Sequence, residues 1–381
     1  MDRIYLDNAA TTPLDKTVAD AMYNVMVNEF GNPSSTHAHG RVTRSLIEEC
    51  RRKVAQLINC SPGEVFFTSG GTEADNMAIR KAVKDYNIKN IITSPIEHHA
   101  VLHTIEELDH AGKIKMHLVQ LTENGHVNYE HLEELLKNNP NALVSLMHAN
   151  NEIGNLLNVE QVGNLCEQYN ALFHCDTVQT IGHYPIDVQK LKVHFIACAA
   201  HKFNGPKGVG FIYINSSTKL QPFITGGAQE RNMRGGTENL YGIVGLTTAL
   251  ELAYSHVAEK QAQIQSLKTY MIEKLKAAIP EIKFNGDAEG NSLYTVLNVS
   301  FPPHPIGEML LFKLDIAGIS VSGGSACSSG SEVGSHVLRA LNVEPNRAPV
   351  RFSFGKQNTR EDIDKTVAVL AEMFQSKKAA V

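Results

Sequence analysis

Two hydrophobic periods alternate along most of this chain. Short apolar runs of strand length stand at 65–67, 91–93, 117–121, 143–147, 172–175, 195–198 and 210–214. Between them, at 72–86, 100–111, 129–137 and 159–169, apolar positions recur at helical spacing. Strand then helix, repeated, predicts an α/β fold with a mostly parallel sheet covered by helices. Such sheets take ligands at the carboxyl ends of their strands. Ahead of this block, Ile4, Tyr5 and Leu6 read as a short strand and 7–13 as a turn. Asp15 is placed to cap a helix reaching about Phe30, with Val18, Met22, Val25 and Met26 on one face. A longer amphipathic helix follows, striped by Val42, Leu46, Ile47, Cys50, Val54, Leu57 and Ile58.

After Gly245 the texture changes. Helices at 246–254 and 260–279 lead into strands at 294–299, 319–321 and 350–354, with helices at 306–317, 333–341 and 359–375. That mixture predicts a smaller α+β domain. The expected division is a large domain of residues 14–258 and a small one made by 1–13 and 259–381.

Composition narrows the partners. Hydrophobic residues make up 43% of 381, enough for a large core. A formal charge of −5 argues against nucleic acid or an anionic membrane as the main partner. No apolar run reaches membrane-spanning length, and the opening Met-Asp-Arg-Ile-Tyr-Leu-Asp has no apolar signal region. Six cysteines without a C-x-x-C pair do not make a disulfide scaffold. The expected location is the cytoplasm.

The chemistry concentrates at a few strand ends. Phe195-Ile196-Ala197-Cys198 runs into His201-Lys202 and then the turn signal Asn204-Gly205-Pro206. Lost hydration at the mouth of a buried strand favours a neutral, nucleophilic lysine that can form a Schiff base with a carbonyl cofactor. A solvated loop lysine is the plainer reading. Thr68-Ser69-Gly70-Gly71-Thr72-Glu73 follows a strand and opens a helix, where backbone N–H groups and the helix dipole favour a phosphate. It lacks the P-loop and dinucleotide spacings, so a simple helix start is the alternative.

Past the next strand, the flat imidazole of His98 can stack on an aromatic cofactor or sit at the surface. A zinc reading through His98, His99 and His103 lacks a carboxylate or cysteine at a recognised spacing. Asp176 ends an apolar strand and needs a cation, such as a protonated pyridine nitrogen, unless it caps a helix. Residues 323–331 are small residues around Cys327. They cannot build a core, so the segment reads as a loop with either a reactive or an incidental thiol. Arg351, within a strand, offers a bidentate fork to a carboxylate or makes a structural ion pair.

Together these segments resemble the group I, NifS/IscS-like cysteine desulfurases of the class V aminotransferase-like family. The resemblance runs from Tyr5-Leu6-Asp7-Asn8-Ala9-Ala10-Thr11-Thr12 to Arg351-Phe352-Ser353. It is carried by Gly-Asn-Pro-Ser-Ser at 31–35, Gly-Gly-Thr-Glu at 70–73, Glu-His-His-Ala at 97–100 and Asn-Asn-Glu-Ile-Gly at 150–154. His-Lys with Gly-Pro-Lys-Gly at 201–208, Arg-Gly-Gly-Thr-Glu-Asn at 234–239 and Gly-Ser-Ala-Cys at 324–327 complete it.

The resemblance implies a homodimer of fold type I (aminotransferase-like) that uses pyridoxal 5′-phosphate. Lys202 would carry the cofactor, and Gly71, Thr72 and His201 its phosphate, joined by Thr237 of the partner subunit. Asp176 would pair with the ring nitrogen and Gln179 with the ring hydroxyl. His98 would stack on the ring and shuttle protons. Asn151 and Arg351 would bind the substrate carboxylate, Asn151 also bordering the cofactor. Cys327 would take sulfur from L-cysteine as a persulfide, leaving L-alanine. An acceptor protein such as an iron–sulfur scaffold would receive it, for clusters, other thio-cofactors or tRNA thiolation. No metal is implied.

A selenocysteine lyase or other pyridoxal-phosphate C–S lyase would not need Cys327. A non-catalytic scaffold would not need Lys202 and Asp176. Members often carry serine where this chain has Ala199, so one phosphate hydrogen bond worth about 1–2 kcal/mol is expected to be missing. Longer members have a C-terminal extension toward the scaffold, so the short tail after the last helix leaves the acceptor open.

Overall fold

A computed structural model describes residues 3–323 and 334–375. In chain order, β1 (Ile4–Tyr5), α1 (Lys16–Asn28) and α2 (Ala38–Leu57) come first. The alternating block follows: β2 (Val65–Thr68), α3 (Gly71–Asp85), β3 (Asn90–Thr93), α4 (His99–His110), β4 (Lys115–Leu118), α5 (Tyr129–Asn138), β5 (Ala142–Ser145), α6 (Val159–Gln168), β6 (Leu172–Asp176), α7 (Val188–Leu191), β7 (Phe195–Ala199) and β8 (Gly210–Ile214). Then α8 (Leu240–Ser255) and α9 (Val257–Ala278) lead to β9 (Lys283–Phe284), β10 (Val296–Phe301), α10 (Leu310–Ile316), β11 (Ile319–Ser320), α11 (His336–Ala340), β12 (Ala348–Ser353) and α12 (Arg360–Gln375).

One sheet has the order β2-β8-β7-β6-β5-β3-β4. β8 runs antiparallel to β2 and β7, and the other neighbours pair in parallel. Residues of β2, β5, β7 and β8 are buried at every position, which is why they read as continuous apolar runs rather than alternating ones. Neighbouring residues serve opposite faces. Phe67, Val144, Cys175 and Ile196 pack in a core with residues of α1, α2 and α8, while Phe66, Leu143, Phe195 and Ala197 pack with Met77 of α3 and Ile105 of α4. The parallel strands end on one side of the sheet, which brings Asp176, Ala199 and the turn after Thr68 to one edge.

A separate core joins α9 and α12 to a small sheet of order β12-β10-β9. The chain's beginning is part of it. β1 pairs in parallel with β11, Ile4 opposite Ile319, and the Ser353 amide donates to the Leu6 carbonyl at 2.7 Å. Residues 8–12 then cross to the large sheet, where the Thr12 amide donates to the carbonyl of His201 at 2.9 Å.

Some boundaries differ from expectation. α8 starts at Leu240, capped by Asn239, not after Gly245. Gly245 lies inside that helix because a Cβ there would sit 2.6 Å from Met22 Sδ on α1. β4 begins at Lys115 rather than 117: at the sheet's edge its residues are half-exposed or exposed, and the apolar period blurs. The expected helix 306–317 is a 3-10 turn, Gly307–Met309, followed by α10. Among the described residues, none of the helices is long and apolar enough to cross a membrane.

Candidate active site

A cavity of about 240 Å³ opens at the carboxyl ends of the strands, between the large sheet and residues of the second core. Its floor is Asp176, the last residue of β6, whose Oδ1 accepts the Val178 amide at 2.9 Å. Two residues earlier on the same strand face, His174 Nδ1 lies 2.8 Å from Ser145 Oγ of the neighbouring β5. Its Nε2 is 3.3 Å from Asp75 Oδ1 of α3, without hydrogen-bond alignment.

Asp75 and Asp176 line the cavity, and Glu97, near enough for its charge to act on Asp75, makes a third buried carboxyl. Burial pushes Asp176 up to about 6, against the pull of the Val178 amide and Lys202. Burial, then the charges of Asp176 and Glu97, raise Asp75 well above the usual range. Glu97 is pushed up to about 8, again by burial, although the Ser94 hydroxyl donates to it at 2.6 Å. Burial also lowers His174 to about 3, so its ring is neutral and does not compensate. The floor therefore favours a cationic group on whatever binds above it.

One wall is the start of α3. Gly70 has φ +152°, and α3 opens without a side-chain cap, leaving its first N–H groups for a ligand or water. Space is tight here: a Cβ on Gly71 would lie 2.6 Å from Val178 Cγ2. A shallower pocket continues along this turn past Thr72, Ala199, His201 and Lys207. His201 Nδ1 lies 3.2 Å from Thr11 Oγ1, and burial, then Lys202 and Lys207, lower its pKa to about 4.

Lys202 is half-buried on the turn after β7, its Nζ donating to the carbonyls of Ala9 (2.6 Å) and Ala10 (2.9 Å). The solvated-loop reading therefore fails. Gln179 Nε2 donates to Ala9 as well, at 3.1 Å. His98 caps α4, its Nδ1 accepting the Ala100 amide at 3.1 Å, so its hydrogen sits on Nε2. Burial first, then Lys202, brings His98 down to about 4 and keeps the ring neutral. Arg351 does make the structural ion pair, Nη2 to Asp7 Oδ1 at 2.9 Å, and Nη1 donates to the Asn151 carbonyl at 2.8 Å. Its Nε is buried and has no hydrogen-bond partner among the described residues.

Of the residues singled out from sequence, Gly71, Thr72, His98, Asn151, Asp176, Gln179, His201, Lys202 and Arg351 all line this one cavity. Thr237 is exposed and does not line it. Cys327 lies outside the described residues. Sequence reasoning missed Asp75, Glu97 and His336, and considered His99 only as a zinc ligand. Asp75 had a usable signal, an acid on the apolar stripe of Ala74, Met77 and Ala78 one turn past Gly71. The zinc reading finds no support: the His99 ring lies tilted 4.5 Å from that of His103 and 4.6 Å from that of His336, but no group of side chains among the described residues could hold a metal ion.

The fold and this cavity define a class of protein that comparison with known families makes specific. The aminotransferase class-V model matches residues 4–366, and the chain belongs to that family. It is 44% identical over 374 residues to the putative cysteine desulfurase IscS 1 of Bacillus subtilis, covering 97% of both chains. It is 42% identical over 376 residues to the cysteine desulfurase IscS of Dictyoglomus turgidum, covering 98% of this chain and 94% of that one. Among solved structures, a NifS-like protein superposes with a TM-score of 0.91 at 36% identity, covering 98% of this chain and 100% of that one.

Proposed function

We propose that this protein is a pyridoxal 5′-phosphate-dependent cysteine desulfurase that converts L-cysteine to L-alanine and passes the sulfur to Cys327. The observation that carries the reading is convergence: a lysine, a buried carboxylate, a neutral imidazole and an arginine with an N–H that no described residue accepts meet in one cavity. Curated relatives at 42% and 44% identity are named cysteine desulfurases. A structural neighbour, SspA, was solved in complex with cysteine, at a TM-score of 0.80 and 30% identity.

The cofactor fits the residues present. The uncapped start of α3, with Gly71, Thr72 and His201, suits a phosphate. The buried carboxyls around Asp176 suit a protonated ring nitrogen, and Gln179 the ring hydroxyl. Bound there, pyridoxal phosphate supplies an electrophilic carbonyl and an electron sink.

The protein's part is binding and proton handling. Arg351 Nε and Asn151 hold the substrate carboxylate and so orient the α-carbon. Lys202 Nζ holds the cofactor and, when released, takes and returns the α-proton. Asp176 keeps the ring nitrogen charged. His98 stacks over the site and handles protons through Nε2. Cys327 takes the sulfur atom. Residues 14–258 form the unit that holds the cofactor, and residues 1–13 and 259–381 the unit that carries the thiol.

A homodimer in the cytoplasm completes the proposal. Exposed Tyr23, Met26 and Val27 on α1, Phe30 just after its end, and Tyr241 on α8 support a self-association surface. Thr237 reaches the phosphate of the partner subunit from it. The sulfur then goes to an acceptor protein of the iron–sulfur scaffold kind. The test is reconstitution of the purified chain with pyridoxal phosphate. A visible absorption band and alanine from L-cysteine, both lost in Lys202→Ala, are the expected result. A wild-type protein that stays colourless would overturn the reading.

A further inference from the structure

The geometry points to His336 as the residue that holds the thiol of the bound amino acid, a contact that tells L-cysteine from L-alanine. The inference rests on the reading of the site as one that takes L-cysteine. His336 opens α11 and lines the same cavity as Lys202 and Arg351. Its position is fixed from two sides. Ser335, the N-cap of α11, donates its hydroxyl to Glu152 at 2.5 Å, next to Asn151. His336 Nε2 lies 2.9 Å from the Glu97 carbonyl oxygen, next to His98.

That second contact assigns the ring's hydrogen. A carbonyl only accepts, so Nε2 carries the hydrogen. In the neutral ring Nδ1 is then a bare acceptor. Nδ1 is buried, and no group among the described residues donates to it. A buried acceptor with no donor is a cost that a ligand's donor relieves. Among the described residues His99 Nδ1 is also buried without a partner, its ring 4.6 Å from that of His336, and no contact fixes its tautomer.

The direction of the substrate follows from its α-carbon, which has three heavy substituents. The carboxylate belongs with Arg351 and Asn151, and the amino end with Lys202. For the third substituent the lining offers a cluster of His98, His99 and His336, whose rings neighbour one another. A cysteine side chain brings an S–H donor to that cluster, where His98 Nδ1 already accepts the Ala100 amide and His336 Nδ1 is the acceptor with an assigned, unoccupied lone pair among the described residues. L-Alanine brings no donor. The contact therefore strengthens substrate binding and is absent once sulfur has gone.

Two substitutions separate this role from a structural one. In His336→Asn the amide oxygen replaces Nδ1, and in His336→Gln the amide nitrogen replaces Nε2. The full-length, cofactor-loaded variants are assayed for KM and kcat with L-cysteine. The dissociation constant of L-alanine is read from the visible band. His336→Gln is expected to raise KM for L-cysteine about fivefold, since S–H is a weak donor. Its L-alanine affinity should stay unchanged, and His336→Asn should keep a KM near that of the wild type. The inference is overturned if Gln preserves KM and Asn does not, because the ring then acts through the Glu97 carbonyl. Unchanged KM in both variants overturns it too, as does L-alanine affinity lost in parallel. A wild-type protein that forms no alanine from L-cysteine removes the underlying reading instead, which the same assay shows before any variant is made.

Discussion

Replacing Arg351 by lysine tests how the substrate carboxylate is held. The arginine side chain is almost fully buried, and its guanidinium is committed on two sides, to Asp7 and to the Asn151 carbonyl. Those contacts leave the Nε–H, which has no partner among the described residues. Lysine keeps the charge but has one nitrogen, which cannot serve Asp7, Asn151 and a carboxylate together. A charge-assisted hydrogen bond contributes about 1.5–3 kcal/mol, so affinity should fall about 10- to 150-fold. The assay is an equilibrium titration of the loaded enzyme with L-alanine, followed by its visible band, with KM for L-cysteine measured alongside. Asp7→Asn is the control, since it removes the charge facing the arginine but leaves the guanidinium in place. Arg351→Lys with an affinity within about twofold of wild type, and a melting temperature lowered as in Asp7→Asn, would show that Arg351 is a structural ion pair only.

Three further outcomes follow from the same structure. Ala199→Ser, on the buried end of β7 beside the α3 turn, should tighten pyridoxal phosphate binding about five- to tenfold by adding a phosphate hydrogen bond; unchanged affinity in a titration of the cofactor-free protein would refute the placement. Glu97, held protonated up to about pH 8 when folded against 4.5 as its ordinary value, contributes stability at low pH that is lost as pH rises through that window. Between about pH 5 and about pH 9, Glu97→Gln should therefore lose less melting temperature than the wild type, both cofactor-free, and equal slopes would contradict the assignment. Glu230 grips Arg51 through two bonds of 2.7 and 2.8 Å and also accepts the Phe67 amide at 2.8 Å, all buried. Glu230→Leu should cost about 3–5 kcal/mol in urea unfolding by leaving the buried arginine only the longer Glu48 contact and the Val65 carbonyl, and a loss under about 1 kcal/mol would refute it.

The sheet was legible because its central strands are buried on both faces, and two-sided burial writes an unbroken apolar run. Lys202 and Asp176 were legible for the same reason: each is the first charge after such a run. Asp15 could be read as a cap because its carboxylate acts locally, on the Thr17 amide at 2.8 Å. Contacts between distant segments left no such trace. Ala9 and Ala10 border the cavity because β1 pairs with β11 far along the chain, and nothing in their small side chains reports it. His336 becomes interesting only when α11 meets the Glu97 carbonyl, a backbone partner that no motif encodes. Glycines misled the reading at α8, where Gly245 marks a close helix crossing rather than a boundary.

In the proposed reaction sulfur leaves L-cysteine onto Cys327. The most direct measurement is the mass of the Cys327 peptide after the cofactor-loaded protein meets L-cysteine without reductant. One added sulfur on Cys327, absent from Lys202→Ala, is the predicted result. Alanine formed with no sulfur on that peptide would contradict the account and point to a lyase that releases sulfur directly.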